Sequence, residues 1–318
     1  MQEFLAAHAQ IAALLRTLLQ SSEILIVVTV IFAPLEAFFS LRKAPLFYPG
    51  WGVDLGWYFV NALVLAFVLA APLNFVARTL YAVLPHAMTN LGTHLPPPLR
   101  MIAAMIVGEA GFYWGHRWSH EIPFLWRFHA VHHSARHIGY LVNTRAHPID
   151  LVFTRLCGVS LMVATGLAGA ASGPQGLGVA LILFVGSIWS YFIHANIRLR
   201  LGFFEEILAS PFFHHWHHTR EDHKDHNYAS MLPVMDRIFG THYAPKAWPA
   251  EYGISEPTPD NIPAQFLGVG RFDIPFSARG RRSKGNETPR AGVGEEPDDA
   301  ERLSYADETF DARPGRSS

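Results

Sequence analysis

Three clusters of histidine at helical spacing carry most of the chemical information in the sequence. The segment HRWSH places His116 and His120 four residues apart. The segments HAVHH and HHWHH share the spacing i, i+3, i+4, and their histidines are His129, His132, His133, His214, His217 and His218. On a helix, such side chains lie about 5–6 Å apart at Cβ on one face, where imidazoles can converge on a metal ion. His215 points roughly 100° away from its neighbours and is left out of this set.

The number of histidines predicts more than one metal ion. Neutral imidazole binds iron, zinc, copper and nickel, so the ligand type does not identify the metal. His194, at the end of an apolar segment, is a ninth candidate, and nine ligands exceed one coordination sphere. Cys157 is the only cysteine, which excludes a disulfide framework and a cysteine-rich zinc site. A zinc-dependent membrane hydrolase and a metal transporter remain alternatives.

The elements that carry these clusters are predicted to be membrane helices. The chain is 50% hydrophobic and 16% charged, whereas soluble domains contain about 25% charged residues. Five segments approach the roughly 20 apolar residues needed to cross the hydrocarbon; they are 24–41, 55–75, 99–114, 151–171 and 177–193. We therefore expect an all-α polytopic membrane protein with about four to five transmembrane helices. A net charge of −1 gives no indication of a nucleic-acid partner.

Lysine and arginine predict the orientation in the membrane. If the five segments alternate, one side receives two basic residues in 42–54, four in 115–150 and six in 194–250, twelve in all. The other side receives Arg16, Arg78 and Arg100. Cytoplasmic loops carry the excess of basic residues, so the first side is predicted to be cytoplasmic. Every histidine cluster lies there, in a helical cap that would form the metal site.

Three regions differ in composition. Residues 1–23 lack the basic start and short apolar core of a signal peptide, and they are predicted to form an amphipathic helix at the membrane interface. Residues 24–250 are the predicted membrane-embedded domain. Residues 251–318 mix charges, Pro and Gly, for the most part without apolar periodicity, and are predicted to be a mostly disordered tail.

The motifs around the histidines resemble those of the fatty acid hydroxylase/sterol desaturase superfamily of integral membrane non-haem di-iron enzymes. The matching segments are FYWGHRWSH, LWRFHAVHHS, NTRAHPID, YFIHAN, SPFFHHWHHT and DHNYASMLPVMDRIFGTHY, within residues 24–245. The resemblance implies that the eight clustered histidines bind iron and that His194 is the additional histidine of such sites. His147, in RAHP, also falls on a family motif, as either a ligand or a support for the ligands.

Other residues around the site follow from the same resemblance. The family often has an Asp seven residues before its first histidine, and Glu109 stands there in this chain. This spacing keeps Glu109 near the His116 face, where it could accept a ring N–H and fix the tautomer. Asn227 and Tyr228 match a family motif and are predicted to support the ligands. Met235 replaces a Trp common in the family, which removes an aromatic packing residue.

The resemblance also implies a reaction. Two iron ions would use O2 to hydroxylate or desaturate a C–H bond of a lipid, and we expect hydroxylation in preference to desaturation. The substrate, an acyl chain or a sterol, would enter from the bilayer. The chain has no dinucleotide-binding glycine motif, so electrons are expected from an external donor, most simply a redox partner protein.

Overall fold

The computed structural model describes residues 2–168, 174–220, 223–255, 258–259 and 261–267, with the side chains of 2–7 and 174–183 left out. These residues all belong to one compact unit, Met1–Ile274. The described chain is helical, with two isolated β-bridges and no strand, as the sequence predicts. Its helices are α1 Gln2–Phe39, α2 Trp51–Phe67, α3 Ala70–Val83, α4 His86–Thr89, α5 Pro97–Glu121, α6 Pro123–His133, α7 Pro148–Ala164, α8 Pro174–His194, α9 Pro211–His217, α10 Val234–Ile238 and α11 Ile262–Leu267.

Helix α1 joins two segments that the sequence analysis separates at residue 23. It is one helix of 38 residues, about 57 Å long at 1.5 Å per residue. The hydroxyls of Ser21 and Ser22 donate to carbonyl oxygens one turn back, at 2.7 and 2.8 Å, so these serines do not end the helix. Its part His8–Phe39 is long and apolar enough to cross a membrane. The predicted interfacial helix is therefore continuous with the first predicted span.

The second predicted span is bent. Helices α2 and α3 meet at an angle of 45°, with a break at Val68 and Leu69. Pro72 follows this break and has no N–H to donate to the carbonyl four residues earlier. The bent pair is long and apolar enough to count as one span. Among the described residues, only α1 and this pair meet the criteria of length and composition, so the number of four to five spans remains a prediction.

Helices α5 and α7 pack unusually closely because glycines of α5 face α7. A Cβ atom built on Gly111 would lie 2.5 Å from the carbonyl oxygen of Cys157 and 2.8 Å from Cα of Gly158. A Cβ atom on Gly115 would lie 2.9 Å from Cβ of Cys157. The close approach brings the last turns of α5 next to Asp150, in the first turn of α7.

Part of the predicted C-terminal tail packs on the helices. Tyr252 and Ile254 are both 5% exposed, and Ile254 contacts Trp126 of α6. In α11 the buried Gln265 accepts a hydrogen bond of 2.6 Å from the indole of Trp57 in α2. The tail predicted from residue 251 therefore begins with a packed segment. Residues 268–318 of that prediction lie outside the described residues.

Candidate metal centre

Nine buried histidines converge in two neighbouring groups, each with its possible ligand atoms within 4.8 Å of one another. We call them group 1 and group 2. Group 1 consists of His116, His120, His129, His133 and His217. Group 2 consists of His132, His194, His214 and His218. These are the eight clustered histidines and His194, and the end of α8 supplies the ninth.

Each three-histidine motif contributes to both groups. In HAVHH the residues at i and i+4 belong to group 1, whereas His132 at i+3 belongs to group 2. In HHWHH the assignment is reversed, because His217 at i+3 belongs to group 1 and the other two belong to group 2. Positions i+3 and i+4 differ by about 100° around a helix, so adjacent histidines point to different centres. The expectation that each motif converges on one metal is therefore corrected.

The ring nitrogens within each group are spaced as ligands of a common ion would be. In group 1, Nε2 of His129 lies 3.1 Å from Nε2 of both His116 and His133. In group 2, four Nε2 pairs are separated by 3.0–3.2 Å. Two histidine nitrogens bound at about 2.0–2.1 Å to one ion would lie about 3.0 Å apart at a right angle and about 3.4 Å apart at a tetrahedral angle.

In six of the nine rings the opposite nitrogen, Nδ1, has a hydrogen-bond partner that fixes the tautomer. Nδ1–H donates to a backbone carbonyl oxygen in four rings; the pairs are His116–Tyr228 (2.7 Å), His132–Arg145 (3.0 Å), His194–Ser190 (2.7 Å) and His217–His226 (2.8 Å). A ring that carries its proton on Nδ1 presents the Nε2 lone pair to the centre, as metal-binding histidines do. Nε2 of His217 is buried and has no hydrogen-bond partner among the described residues.

In group 1, two rings have a carboxylate in place of a backbone carbonyl oxygen as the partner of Nδ1. The buried Asp150 accepts from Nδ1 of His129 (2.9 Å) and from the hydroxyl of Ser119 (2.9 Å). Burial alone would raise the pKa of Asp150, but the neighbouring His129 and Ser119 lower it below its ordinary value. Asp225 lies 3.2 Å from Nδ1 of His120. Neither carboxylate is among the predicted site residues, although Asp150 stands in the motif NTRAHPID.

Burial keeps the imidazoles neutral, which is the form that binds a metal. It lowers the pKa of His116 to about 3 and that of His194 to about 4, and the nearby His129 ring adds to the shift at His116. Burial and neighbouring histidines also lower the pKa of five further rings, those of His132, His133, His214, His217 and His218. These seven rings are therefore uncharged at neutral pH and can accept cations without first losing protons.

Glu109 supports the centre differently from the prediction. Its carboxylate contacts no histidine that the structure describes. It accepts from the backbone N–H groups of Ser230 (2.7 Å), Met231 (2.7 Å) and Leu232 (3.2 Å), and from the Ser230 hydroxyl. The carbonyl oxygen of Tyr228, just before this segment, takes the ring proton of His116 instead. Glu109 thus anchors the loop that orients His116.

Asn227 and Tyr228 lie in that same loop. Asn227 has a positive φ of 58°, and its side chain bonds to the backbone of Phe213 and Tyr243 at 2.6–2.8 Å. The fully buried ring of Tyr228 packs on His116 and on two other group 1 rings, with centroids 5.1–5.8 Å apart. Asn227 shapes the loop, whereas Tyr228 contacts the candidate ligands.

Two further histidines lie outside both groups. Nδ1 of His147 accepts the N–H of Ile149 (3.2 Å) and so caps α7, and its ring packs on Phe128 and Phe266. The structure therefore does not bring His147, the tenth predicted ligand, to the centre. His215 lies 2.8 Å from the Tyr252 hydroxyl and 3.1 Å from the Ala195 carbonyl oxygen, outside the groups as its spacing predicts.

The described residues form an all-helical fold with two neighbouring groups of buried histidines that could each hold a metal ion, without a thiolate among the candidate ligands. Residues 101–241 match the family described as fatty acid hydroxylase. This match contains all nine grouped histidines. Over these residues the chain is similar to the fatty acid hydroxylase family, and the resemblance stated from the sequence motifs is confirmed.

Several named relatives are similar to part of the chain. Ornithine lipid hydroxylase OlsE of Rhizobium tropici is 28% identical over 61% of this chain and 56% of its own length. Alkylglycerol monooxygenase of Danio rerio is 32% identical over 52% of this chain and 33% of its own. Methylsterol monooxygenase 2-2 of Arabidopsis thaliana is 30% identical over 43% of this chain and 49% of its own. The chain thus spans about a third to just over half of these relatives. No solved structure matches it.

Proposed function

We propose that this protein is a membrane-bound non-haem di-iron oxygenase that hydroxylates a C–H bond of a lipid. Desaturation of the lipid is the alternative reaction, and we expect hydroxylation in preference to it. The observation that carries the proposal is the pair of buried histidine groups, each with ring nitrogens in position to share an ion. When bound, two iron ions would supply the O2 activation that cleavage of an unactivated C–H bond requires. The chain would hold the ions through nine Nε2 atoms and exclude water from them by burial.

The number of candidate ligands favours iron over zinc. Protein zinc is typically tetrahedral with four ligands, whereas group 1 alone offers five. The zinc-dependent hydrolase is therefore the weaker alternative, and the names of the relatives do not favour it.

The proposed substrate is a lipid that reaches the centre from the bilayer. The named relatives are hydroxylases or monooxygenases of ornithine lipid, alkylglycerol and methylsterol. Large apolar side chains on α1 are exposed, such as Val30 (68%) and Phe38 (81%), which suits contact with acyl chains. An external redox partner would deliver electrons.

The proposed location of the metal centre is the cytoplasmic side of the membrane, from the basic residues counted above. Reporter fusions at residues 90 and 245 should give opposite signals, with the reporter at 245 in the cytoplasm. Equal signals at both positions would contradict the alternating topology and with it the cytoplasmic assignment.

Oxygen-18 labelling tests the reaction. The purified protein in lipid nanodiscs is loaded with iron and given a reductant and ornithine lipid, alkylglycerol or sterol in separate reactions. We expect a hydroxylated product that carries label from 18O2 and no activity under nitrogen. A desaturase would need oxygen but leave no label in the lipid.

The His214→Ala and His215→Ala variants serve as a matched pair in this assay. His214 belongs to group 2 and His215, its neighbour in the chain, does not. Only the first change should abolish turnover and lower bound iron. Full activity without oxygen or reductant, with label taken from water, would refute the oxygenase and support the hydrolase.

A further inference from the structure

Arg145 forms a tight turn whose carbonyl group faces group 2. Its backbone angles (φ −72°, ψ 83°) are those of the central residue of an inverse γ-turn. The N–H of Ala146 donates to the carbonyl oxygen of Thr144 across this turn, at 2.9 Å. The carbonyl oxygen of Arg145 itself accepts Nδ1–H of His132, at 3.0 Å. The direction of this one carbonyl group therefore sets the tautomer and orientation of a candidate ligand.

Side chains of helix α2 hold this turn by hydrogen bonds. The amide nitrogen of Asn61 donates to both flanking carbonyl oxygens, of Thr144 (2.8 Å) and Ala146 (2.9 Å). Two turns further back along α2, the carboxylate of Asp54 pairs with Nε of Arg145. The Thr144 hydroxyl also donates to the carbonyl oxygen of Asp54, at 3.2 Å. Two side chains of α2 thus hold this turn. Asn61 holds the backbone on both sides of Arg145, and Asp54 holds the Arg145 side chain.

The burial of this ion pair indicates a role beyond stability. Asp54 is 0% exposed and the Arg145 side chain 8% exposed. The desolvation cost of two buried charges can exceed their attraction, so such a pair is weak evidence for stability and is better attested as a device for exact register. Tyr48 donates a further hydrogen bond of 2.6 Å to Asp54, which fixes the carboxylate. The result is a rigid connection from α2 to His132.

We propose that Asp54 and Asn61 are positioning residues of the metal centre that act through the Arg145 carbonyl group on His132 and so on group 2. Both lie outside residues 101–241, the part that matches the family. The bent pair α2 and α3 would then belong to the metal centre as well as to the membrane anchor. This inference rests on the proposed function only in requiring that both groups bind a metal.

Metal titration of the purified full-length protein tests the proposal without any turnover. The apoprotein is titrated with Co²⁺ and followed by the visible absorption of the bound ion. We expect two tight equivalents for the wild type. In Asn61→Leu and Asp54→Asn, one equivalent should stay tight and the other should bind about 10–100-fold more weakly, which is the usual effect of removing a partner behind a histidine ligand.

Two controls separate positioning from general damage. Tyr58, also on α2, donates a hydrogen bond of 2.5 Å to the carbonyl oxygen of Ser21, away from the Arg145 turn. Tyr58→Phe therefore removes one buried bond of α2 and should leave both equivalents tight. If Asp54→Asn does not fold, Asn61→Leu, which leaves no unpaired charge, carries the test.

Double variants assign the weakened equivalent to a group. With His116→Ala, which removes a group 1 ligand, Asn61→Leu should weaken the remaining equivalent. With His214→Ala, which removes a group 2 ligand, Asn61→Leu should leave the remaining equivalent unchanged. Wild-type affinity at both sites of Asn61→Leu, or equal weakening of both, would overturn the positioning role alone. Fewer than two equivalents in the wild type would overturn the proposed di-metal centre and the positioning role with it.

Discussion

Replacing Gly111 by Ala should loosen the contact between α5 and α7 and weaken the metal centre from a distance. The added Cβ atom would lie 2.5 Å from the Cys157 carbonyl oxygen, where ordinary contact begins near 3.4 Å. The obstacle is helix backbone, which cannot rotate away as a side chain can. The helices must therefore separate locally by about 0.9 Å, the difference between these distances.

This separation should lower the free energy of unfolding. Overpacking of a well-packed contact costs about 1–3 kcal/mol. The same displacement would lengthen the Ser119–Asp150 hydrogen bond from 2.9 Å to about 3.8 Å, beyond the range of a hydrogen bond. Asp150 would then lose the Ser119 hydroxyl, and His129 would be the remaining hydrogen-bond partner of its carboxylate. We therefore expect lower metal affinity in group 1 as well as lower stability.

Two other helical glycines, in α8 and α5, provide the controls. A Cβ atom on Gly186, in α8, meets nothing within 4 Å, so Gly186→Ala should match or exceed the wild type in stability. A Cβ atom on Gly108 meets the flexible side chain of Met162, with its sulfur at 3.2 Å, so Gly108→Ala should have an intermediate effect. Thermal unfolding in detergent, followed by tryptophan fluorescence, and metal analysis measure both effects. Equal stability of Gly111→Ala and Gly186→Ala would refute the packing argument.

Three further changes test other contacts. Asp150→Asn keeps the size of the side chain but removes its charge, and metal titration should give about 10–100-fold weaker binding at one site. His214→Leu should reduce bound metal more than His215→Leu does, since only the first ring belongs to a group; equal losses by metal analysis would contradict that assignment. A chain cut after residue 255 should unfold at lower temperature than one cut after residue 274, because it loses the buried Trp57–Gln265 bond, worth about 0.5–1.5 kcal/mol; identical melting curves would count against that contact.

The sequence predicts the candidate ligands better than it predicts the hydrogen bonds that hold them in place. Helical spacing identifies eight of the nine grouped histidines, because side chains three and four residues apart in a helix are neighbours wherever the helix lies. The ninth, His194, follows from its position at the end of an apolar segment. The partner of Glu109 could not be found in this way. Its bonds reach the backbone of Ser230, 121 residues away, and backbone donors leave no residue-type signal in a sequence. Likewise, the role of Asp54 depends on a carbonyl group near residue 145, which no motif marks.

The features of the fold that the sequence does not predict have local physical causes. The predicted boundary at residue 23 follows a change in composition, but Ser21 and Ser22 satisfy their hydroxyls within the helix and do not interrupt it. Pro72 could have predicted the bend between α2 and α3, because a proline inside a helical pattern removes a hydrogen bond. The packed segment of the tail depends on a few individual contacts, such as that of Gln265. Apolar periodicity does not detect such contacts.

The crossed assignment of the histidines makes the two groups depend on each other. Helix α6 supplies two rings to group 1 and His132 to group 2, and α9 with the residue after it supplies two rings to group 2 and His217 to group 1. A shift of a whole helix would therefore move ligands of both groups at once, whereas a change at the hydrogen-bond partner of one ring reaches one group. An ion bound in one group would hold α6 and α9 and so reduce the conformational entropy that the second ion must remove. The buried polar contacts hold α6 at a ligand of each group, because Asp150 of α7 accepts from His129 and the Arg145 turn, which α2 holds, accepts from His132.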